Sequence, residues 1–494
     1  AVDLPHASRR QPARIAQCLP TAVPVSGLPA MPGRWQPDAM SHPNLHVVIL
    51  AAGRGTRMRS SQPKVLQPLG GRPMLAHVLE TAQALAPAAI HVVVGHGAES
   101  VQARFDALPL RWVLQAEQRG TGHAVQQALP TIPDDARVLV LYGDVPLITE
   151  HTLSQLVDTD GPALLSVVLP DPSGYGRIVR DEDGAVSAIV EHKDASAEQR
   201  AIDETNTGVL AASADRLKQW LSRISSDNAQ GELYLTDVVG LAVSDGVTVQ
   251  ALQASDVDEV AGVNDRRQLA QAERVLQRRA ANALLQAGAT LLDPARFDQR
   301  GRVAVGEDVV IDINVVLEGD VELGDGVEIG PNCVIRNARI GDGTVVHANT
   351  VIEDADIGPS CQIGPFARLR PGTVLVGDNR IGNFVETKKA RLDAGAKAGH
   401  LAYLGDATIG KRVNVSAGVI TCNYDGANKH QTVVGDDAFI GTDSQLVAPV
   451  TVGDRAYIAA GSTITRNAPE DALTICRARG QKSIAGWRKP AKNP

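Results

Sequence analysis

Beyond residue 300, aliphatic side chains recur at every sixth position. The run is Val305, Ile311, Leu317, Leu323, Ile329 and Ile335. After a slip of one residue it resumes at Ile340, Val346 and Ile352, then at Ile357, Ile363 and Leu369. It returns at Ile409 and Val415, and again at Val434, Ile440, Leu446, Val452, Ile458 and Ile464. A period of six is neither the 3.6 of a helix nor the alternation of a simple strand. It fits a parallel β-helix in which each flat side uses one repeat. The aliphatic residue points inward and stacks on its counterpart about 4.8 Å away in the next coil. Gly often follows it, as at Gly306, Gly324, Gly330 and Gly341, which relieves crowding where the chain bends. Spacing leaves handedness open. Two stretches, 384–408 and 418–433, break the aliphatic count and are expected to leave the coil as loops, where function tends to sit.

The N-terminal half follows a different pattern. Aromatic residues make up only 3% of the 494, so cores must be built from Val, Ile, Leu and Ala, which suits a buried parallel sheet. Residues 45–51, 90–95 and 138–142 are short β-rich apolar runs, and residues 73–86 are helix-like. Strands alternating with helices to about residue 260 predict an α/β Rossmann-like domain. Residues 264–287 carry Leu269, Ala272, Val275, Leu276, Ala280 and Leu284 near 3.6 spacing among Arg and Gln, which reads as one long connecting helix capped by Asn264 or Asp265. The expected division is therefore a disordered extension (1–44), an α/β domain (45–266), a linker helix (267–287) and a β-helix (288–494). Eight prolines and no Lys in residues 1–43 motivate the first of these, and Met40 is a candidate natural start.

The net charge of −8 gives no global footprint for nucleic acid. Five cysteines at wide spacing, without a CxxC pair, argue against a disulfide framework or a structural zinc and fit a reducing cytoplasm. No apolar run approaches the roughly 18 residues of a membrane helix, so no membrane insertion is expected.

Two sets of motifs carry chemistry. The string LAAGRGTRM at 50–58 follows a strand directly, so backbone N–H groups of a Gly-rich loop can approach phosphate. Arg57 and Lys64 add cations. In order come QAEQRGTGHA (115–124), LYGDVPL (141–147), GYGRI (174–178), IVEHKD (189–194), NTG (206–208) and GVNDR (262–266). This ordered set resembles the sugar-1-phosphate nucleotidyltransferases. The second set, KAGHLAYLGD (397–406) and AGVITCNYDGANK (417–429), resembles the acetyltransferase half of the bifunctional N-acetylglucosamine-1-phosphate uridylyltransferase/glucosamine-1-phosphate acetyltransferases. Both halves occur in that family's order, and the resemblance spans residues 45–488.

The resemblance implies a left-handed β-helix, a homotrimer and two sites. At the first, Leu50, Ala51, Ala52, Gly53, Lys64, Gln115, Gly120, Thr121, Tyr142, Gly143 and Asp144 meet UTP. Gly176, Glu191 and Asn206 contact the sugar of N-acetylglucosamine 1-phosphate. Asp144 and Asn264 hold Mg²⁺, while Arg57 and Lys64 supply catalytic charge. At the second, His400 is the general base, and Arg370, Lys388, Tyr403 and Asn414 bind glucosamine 1-phosphate. Ala417, Asn423, Tyr424, Thr442, Ala460 and Arg477 line the acetyl-CoA site. Ser416 and Thr442 depart from the family's usual Gly and Ser, and both stay small. Cys422 reads as a small residue beside the ligand rather than an acyl carrier, since no His adjoins it. Two rival readings stay open: a uridylyltransferase alone, with the β-helix as trimerising scaffold, and a catalytically dead relative. Retention of His400, Asn423 and Tyr424 weighs against the first, and of Lys64, Asp144 and Asn264 against the second.

Overall fold

The computed structural model describes residues 42–477. The expected disordered extension and the candidate start at Met40 lie, but for residues 42–44, outside the described residues.

The N-terminal sheet runs, edge to edge, Gln250–Gln253, Ala163–Val168, Glu204–Ser213, Arg137–Tyr142, Leu45–Leu50, Ala89–Val94, Arg111–Leu114. The apolar runs at its centre are buried on both faces: Val47, Val48, Ile49, Val138, Leu139 and Val140 are fully enclosed. The sheet is not wholly parallel as the alternation of strands and helices suggested. Glu204–Ser213 runs antiparallel to both neighbours. That reversal has a consequence for the site. Leu210 pairs with Val140 and Ser213 with Arg137, so the strand's first residues, Asn206–Gly208, reach the edge where Arg137–Tyr142 ends. A parallel strand would have sent them to the opposite edge.

The linker helix is Arg266–Gln286, capped by Asp265, whose carboxylate accepts from the N–H groups of Arg267 and Gln268. Asn264 is therefore not the cap, and its side-chain oxygen accepts from the Lys64 ammonium instead. The helix is stitched to both halves. Arg266 donates to Met58 O (3.2 Å) and Gln67 (2.7 Å), and Arg279 to Leu147 O (2.6 Å). On the other side the buried amide of Gln277 donates to Gln299 O and accepts from Gln299 N–H, at 2.8 and 2.6 Å. It thereby extends the edge of the first coil as a strand would.

From Thr290 onward the chain winds into stacked parallel strands, and the period of six becomes three inward columns. One runs Ile311, Ile329, Val346, Ile363, Ile381, Ala398, Val415, Ile440, Ile458. Another runs Leu317, Ile335, Ile352, Leu369, Thr387, Leu404. A third runs Leu323, Ile340, Ile357, Leu375, Leu392, Ile409, Val434, Val452. Each such aliphatic side chain buried is worth roughly 1.5–3 kcal/mol. The one-residue slip is a corner: register shifts between Glu318 and Val321, where Asn337 alone (φ 45°) turns opposite Gly319–Asp320. The Gly after the aliphatic residue answers a different need, close approach. A Cβ on Gly324 would lie 2.2 Å from the Asp342 carboxylate, which accepts from Asp325 N–H.

One expectation fails here. Residues 384–408 do not leave the coil: Glu386–Leu392, Lys397–His400 and Tyr403–Ile409 are ordinary rungs. The phase is unbroken, but Thr387 and Ala398 fill inward places with small side chains, so an aliphatic count lost it. Of residues 418–433, Ile420–Cys422 is also a rung, and the excursion proper lies between it and Thr432–Val434.

Candidate active sites

The Gly-rich loop leaves strand Leu45–Leu50 at the ligand edge of the sheet, the place where open α/β sheets bind ligands. A cavity of about 350 Å³ opens there, lined by the expected Leu50, Ala51, Ala52, Gly53, Lys64, Gln115, Gly120, Thr121, Tyr142 and Asp144, together with Gln118 and Glu232 among others. A Cβ on Gly53 would meet nothing, so its backbone faces open space. Gly120 is different. With φ +114° it opens the helix Thr121–Ala128, and a Cβ would sit 2.4 Å from Leu233 O. Gln115 is buried and donates to Gly120 O at 3.1 Å, which fixes its amide at the cavity. Gly143, whose N–H donates to Leu50 O at 3.0 Å, ties the two central strands together beside the loop.

Lys64 ties the cavity to the linker. Its ammonium forms an ion pair with Asp144 and donates to Asn264 Oδ1 at 3.1 Å. Asp144 O also accepts from Val263 N–H (2.8 Å). Residues 80 and 200 positions from Lys64 thus converge on one positive charge. Arg57 is exposed on the short helical turn Thr56–Met58, outside the lining of the cavity, and its charge acts on Asp265.

The expected sugar contacts form the next layer. Asn206 N–H donates to Gly176 O (2.9 Å), and a Cβ on Gly176 would lie 3.4 Å from Glu191 Oε1. Burial holds the Glu191 carboxyl above its ordinary range, and a 3.1 Å bond from the Thr236 hydroxyl pulls the other way. Burial also raises the Tyr142 phenol, helped by the negative charges of Glu191 and Asp144. The Tyr142 ring packs where a Cβ of Gly208 would otherwise be, 2.4 Å from it. Thr236 and Gly208 were not singled out from sequence. The NTG motif contained Gly208, but Thr236 lies in no motif.

On the β-helix, His400 ends the rung Lys397–His400, and its Nδ1 meets Asn383 Oδ1 at 2.9 Å on the rung before. An amide oxygen only accepts, so Nδ1 carries a proton, and in the neutral imidazole Nε2 then presents the lone pair. Asn383 is a partner that sequence reading missed. Arg370 pairs with Glu386 (2.6 Å). Lys388 lies against Lys429, also missed. The nearby charges of Lys429 and Arg370 lower the Lys388 ammonium pKa. Cations gathered in this way suit a phosphate, although Arg370 is already compensated by Glu386. The Tyr403 ring covers Gly405, where a Cβ would stand 2.4 Å from its hydroxyl. Asn414 donates to Ser416 Oγ at 3.3 Å. Asn423 is buried and donates to Asp406 at 2.5 Å, while Tyr424 is 58% exposed. Ala417 O accepts from Asp443 N–H, Thr442 O from Gly461 N–H, and Ala460 O from the Arg477 guanidinium at 2.8 Å. The expected residues therefore pair locally: His400 with Asn383, Lys388 with Lys429, Asn423 with Asp406, and Arg477 with Ala460; the second and third pairs adjoin, since the Asp406 charge acts on Lys388 and Lys429 bridges Tyr424. Burial raises the Cys422 thiol, which disfavours the thiolate an acyl carrier needs.

No helix among the described residues is long and apolar enough to cross a membrane. A family model described as the MobA-like NTP transferase domain matches residues 47–207. One for the GMPPB C-terminal domain matches residues 299–392, and one for bacterial transferase hexapeptide (six repeats) matches 431–466. The hexapeptide match and the parallel-strand sheets fit the left-handed form of the β-helix. Relatives named "Bifunctional protein GlmU" match across both halves. That of Alkalilimnicola ehrlichii is 61% identical over 452 residues, 91% of this chain and 97% of its own. Those of Marinobacter nauticus and Stutzerimonas stutzeri are 57% and 58% identical, over 91% of this chain and 99% and 100% of theirs. With both halves matched in order and nearly end to end, the chain belongs to the GlmU family of bifunctional uridylyltransferase–acetyltransferases.

Proposed function

We propose that residues 45–266 and 288–494 carry one activity each, joined by the linker helix. The C-terminal site acetylates glucosamine 1-phosphate with acetyl-CoA. The N-terminal site then transfers UMP from UTP to the N-acetylglucosamine 1-phosphate formed, giving UDP-N-acetylglucosamine and pyrophosphate, a precursor for bacterial cell wall and lipopolysaccharide. The observation that carries the first site is the convergence of Asp144 and Asn264 on Lys64, which with Asp144 lines the cavity beside the Gly-rich loop.

In uridylyl transfer a phosphate oxygen of the sugar 1-phosphate bonds to the α-phosphorus of UTP, and the bond to the bridging oxygen of pyrophosphate breaks. Two anions must meet, so alignment and charge compensation carry the catalysis. Gln115, Gly120 and Thr121 receive the base, the backbone of 51–53 the phosphates, and Gly176, Glu191 and Asn206 the sugar. Asp144 and Asn264 suit Mg²⁺: they already direct two oxygens at one cation, and Mg²⁺ takes few protein ligands and completes its shell with phosphate oxygens and water. When bound it would supply charge neutralisation at the phosphates. Lys64 and Arg57 compensate the remainder. Lys64→Ala is expected to lower uridylyl transfer by about 10²-fold, the scale of one lost charge-assisted contact to the transition state. Acetyl transfer should be unchanged. Wild-type uridylyl turnover would make Lys64 structural.

In acetyl transfer the amine of glucosamine 1-phosphate attacks the thioester, and CoA leaves as the thiol. His400 Nε2 takes the amine proton, with Asn383 fixing the tautomer. Arg370, Lys388 and Lys429 hold the phosphate, with Tyr403 and Asn414 at the sugar. Ala417, Asn423, Tyr424, Thr442, Ala460 and Arg477 receive acetyl-CoA, and Tyr424 with backbone amides steadies the oxyanion.

The working form is a cytoplasmic homotrimer with the acetyl site between subunits. Its support is a surface ridge: Phe366, Phe384 and Leu401 stand one above another on successive coils, 50–59% exposed, each at a positive-φ corner. The two rings stack at 5.6 Å, and the ridge ends beside His400. Apolar side chains in a strained conformation are a poor choice for a surface that stays wet. His400→Ala and Arg477→Ala subunits, unfolded together and refolded as a mixture, should regain part of the acetyl transfer that each lacks alone. A monomer by light scattering at micromolar concentration, still acetylating, would contradict the shared site.

A further inference from the structure

The excursion between Cys422 and Thr432 is a real insertion in the coil. Arg412 meets Asp437 25 positions on, whereas His400 meets Asn383 at 17. One carboxylate organises it. Asp425 Oδ1 accepts from the N–H groups of Ala427 (2.8 Å) and Asn428 (2.7 Å), and Asp425 Oδ2 accepts from His430 Nε2 (2.7 Å). Asp425 N–H donates to Asn428 O at 3.1 Å, His430 N–H to Asn423 O at 2.8 Å, and Tyr424 pairs with Lys429 as an antiparallel bridge. The turn between them runs through Gly426 at φ +99°. The bonds from Asn428, His430 and Ala427 hold the Asp425 carboxyl down at about 2, so it stays an acceptor at any physiological pH.

The two legs of this loop carry different ligands' residues. The outgoing leg holds Asn423, bonded to Asp406, and Tyr424. The returning leg holds Lys429 against Lys388, two like charges that repel unless something keeps them together. We propose that Asp425 and His430 form a clasp that positions both legs at once, so that the acetyl-CoA residues and the sugar-phosphate residues are presented as one surface. The proposal rests on the reading above of Asn423, Tyr424, Lys388 and Lys429 as ligand contacts. Asp425 and His430 are positioning residues; their side-chain bonds go to the loop itself.

A loop that is only part of the time in its binding conformation weakens apparent affinity by that fraction, and saturating ligand restores it. Asp425→Ala in the full-length chain is therefore expected to raise KM for both glucosamine 1-phosphate and acetyl-CoA by about tenfold, the scale of losing one clasp worth roughly 1.4 kcal/mol. kcat should fall much less. Asp425→Asn keeps an oxygen for the two N–H groups and should stay within about threefold of wild type, with His430→Ala between the two. Uridylyl transfer and the melting midpoint should not move. If Asp425→Ala does not fold, His430→Ala, which leaves the turn's own bonds intact, carries the test. Unchanged KM values in Asp425→Ala, a change in only one of them, or equal damage in Asp425→Asn would overturn the clasp. Unchanged KM values in both Lys388→Ala and Asn423→Ala would instead overturn the site reading beneath it.

Discussion

Replacing Asp144 by Ala should abolish uridylyl transfer, by at least about 10³-fold, and leave acetyl transfer at the wild-type rate. The magnitude follows from charge. Metal-assisted phosphoryl chemistry gains several kcal/mol of transition-state stabilisation, and each 1.36 kcal/mol is tenfold. Asp144 contributes the one full negative charge among the residues that Lys64 bridges. Its loss also leaves the Lys64 ammonium without its partner, so both members of the site are disturbed. The linker helix and the β-helix do not depend on that carboxylate: the helix is capped by Asp265 and anchored through Arg266, Gln277 and Arg279. EDTA should reproduce the same split in the unmutated protein. Equal loss of both activities on chelation would mean the two halves do not work as separate sites.

His400→Ala should do the converse, lowering acetyl transfer about 10²–10⁴-fold, the usual worth of a positioned base. An amine with a pKa near 8 is largely protonated at neutral pH and must lose a proton before it can attack. The bond from Nδ1 to Asn383 leaves Nε2 as the accepting atom. Asn383→Leu, which removes that orientation but not the imidazole, should therefore lie between wild type and His400→Ala. Uridylyl transfer measured in the same preparations serves as the control. Wild-type acetyl transfer in His400→Ala would leave the histidine as an exposed corner residue and favour the reading in which the β-helix only assembles subunits.

The period of six was legible because each inward place repeats the same physical demand. Ile311, Ile329, Val346 and Ile363 meet one another directly in successive coils. It faded between residues 384 and 408 because burial there uses Thr387 and Ala398, which occupy inward places without the larger Val, Ile or Leu side chains that mark the period elsewhere. The antiparallel strand Glu204–Ser213 was hidden for another reason. A strand buried on both faces looks alike in either direction, so nothing local reports the reversal. The Gly-rich loop and its cations could be read from sequence because phosphate chemistry restricts which residues can follow a strand. Asn383, Thr236 and Lys429 could not, because each acts through a partner 17 or more positions away and has no pattern of its own. Asn264 shows the opposite case. As a string, Asn264-Asp265 before a helix offers two possible caps, and only the structure separates the cap, Asp265, from the residue that faces Lys64.

The central claim is that one chain performs two successive transfers at two sites. It is tested most directly by supplying the purified protein with glucosamine 1-phosphate, acetyl-CoA, UTP and Mg²⁺ and following CoA thiol, pyrophosphate and UDP-N-acetylglucosamine together. All three should appear, with thiol release preceding pyrophosphate. Omitting acetyl-CoA should stop pyrophosphate release, and adding N-acetylglucosamine 1-phosphate should restore it. Pyrophosphate release from N-acetylglucosamine 1-phosphate without any thiol release from glucosamine 1-phosphate would contradict the claim.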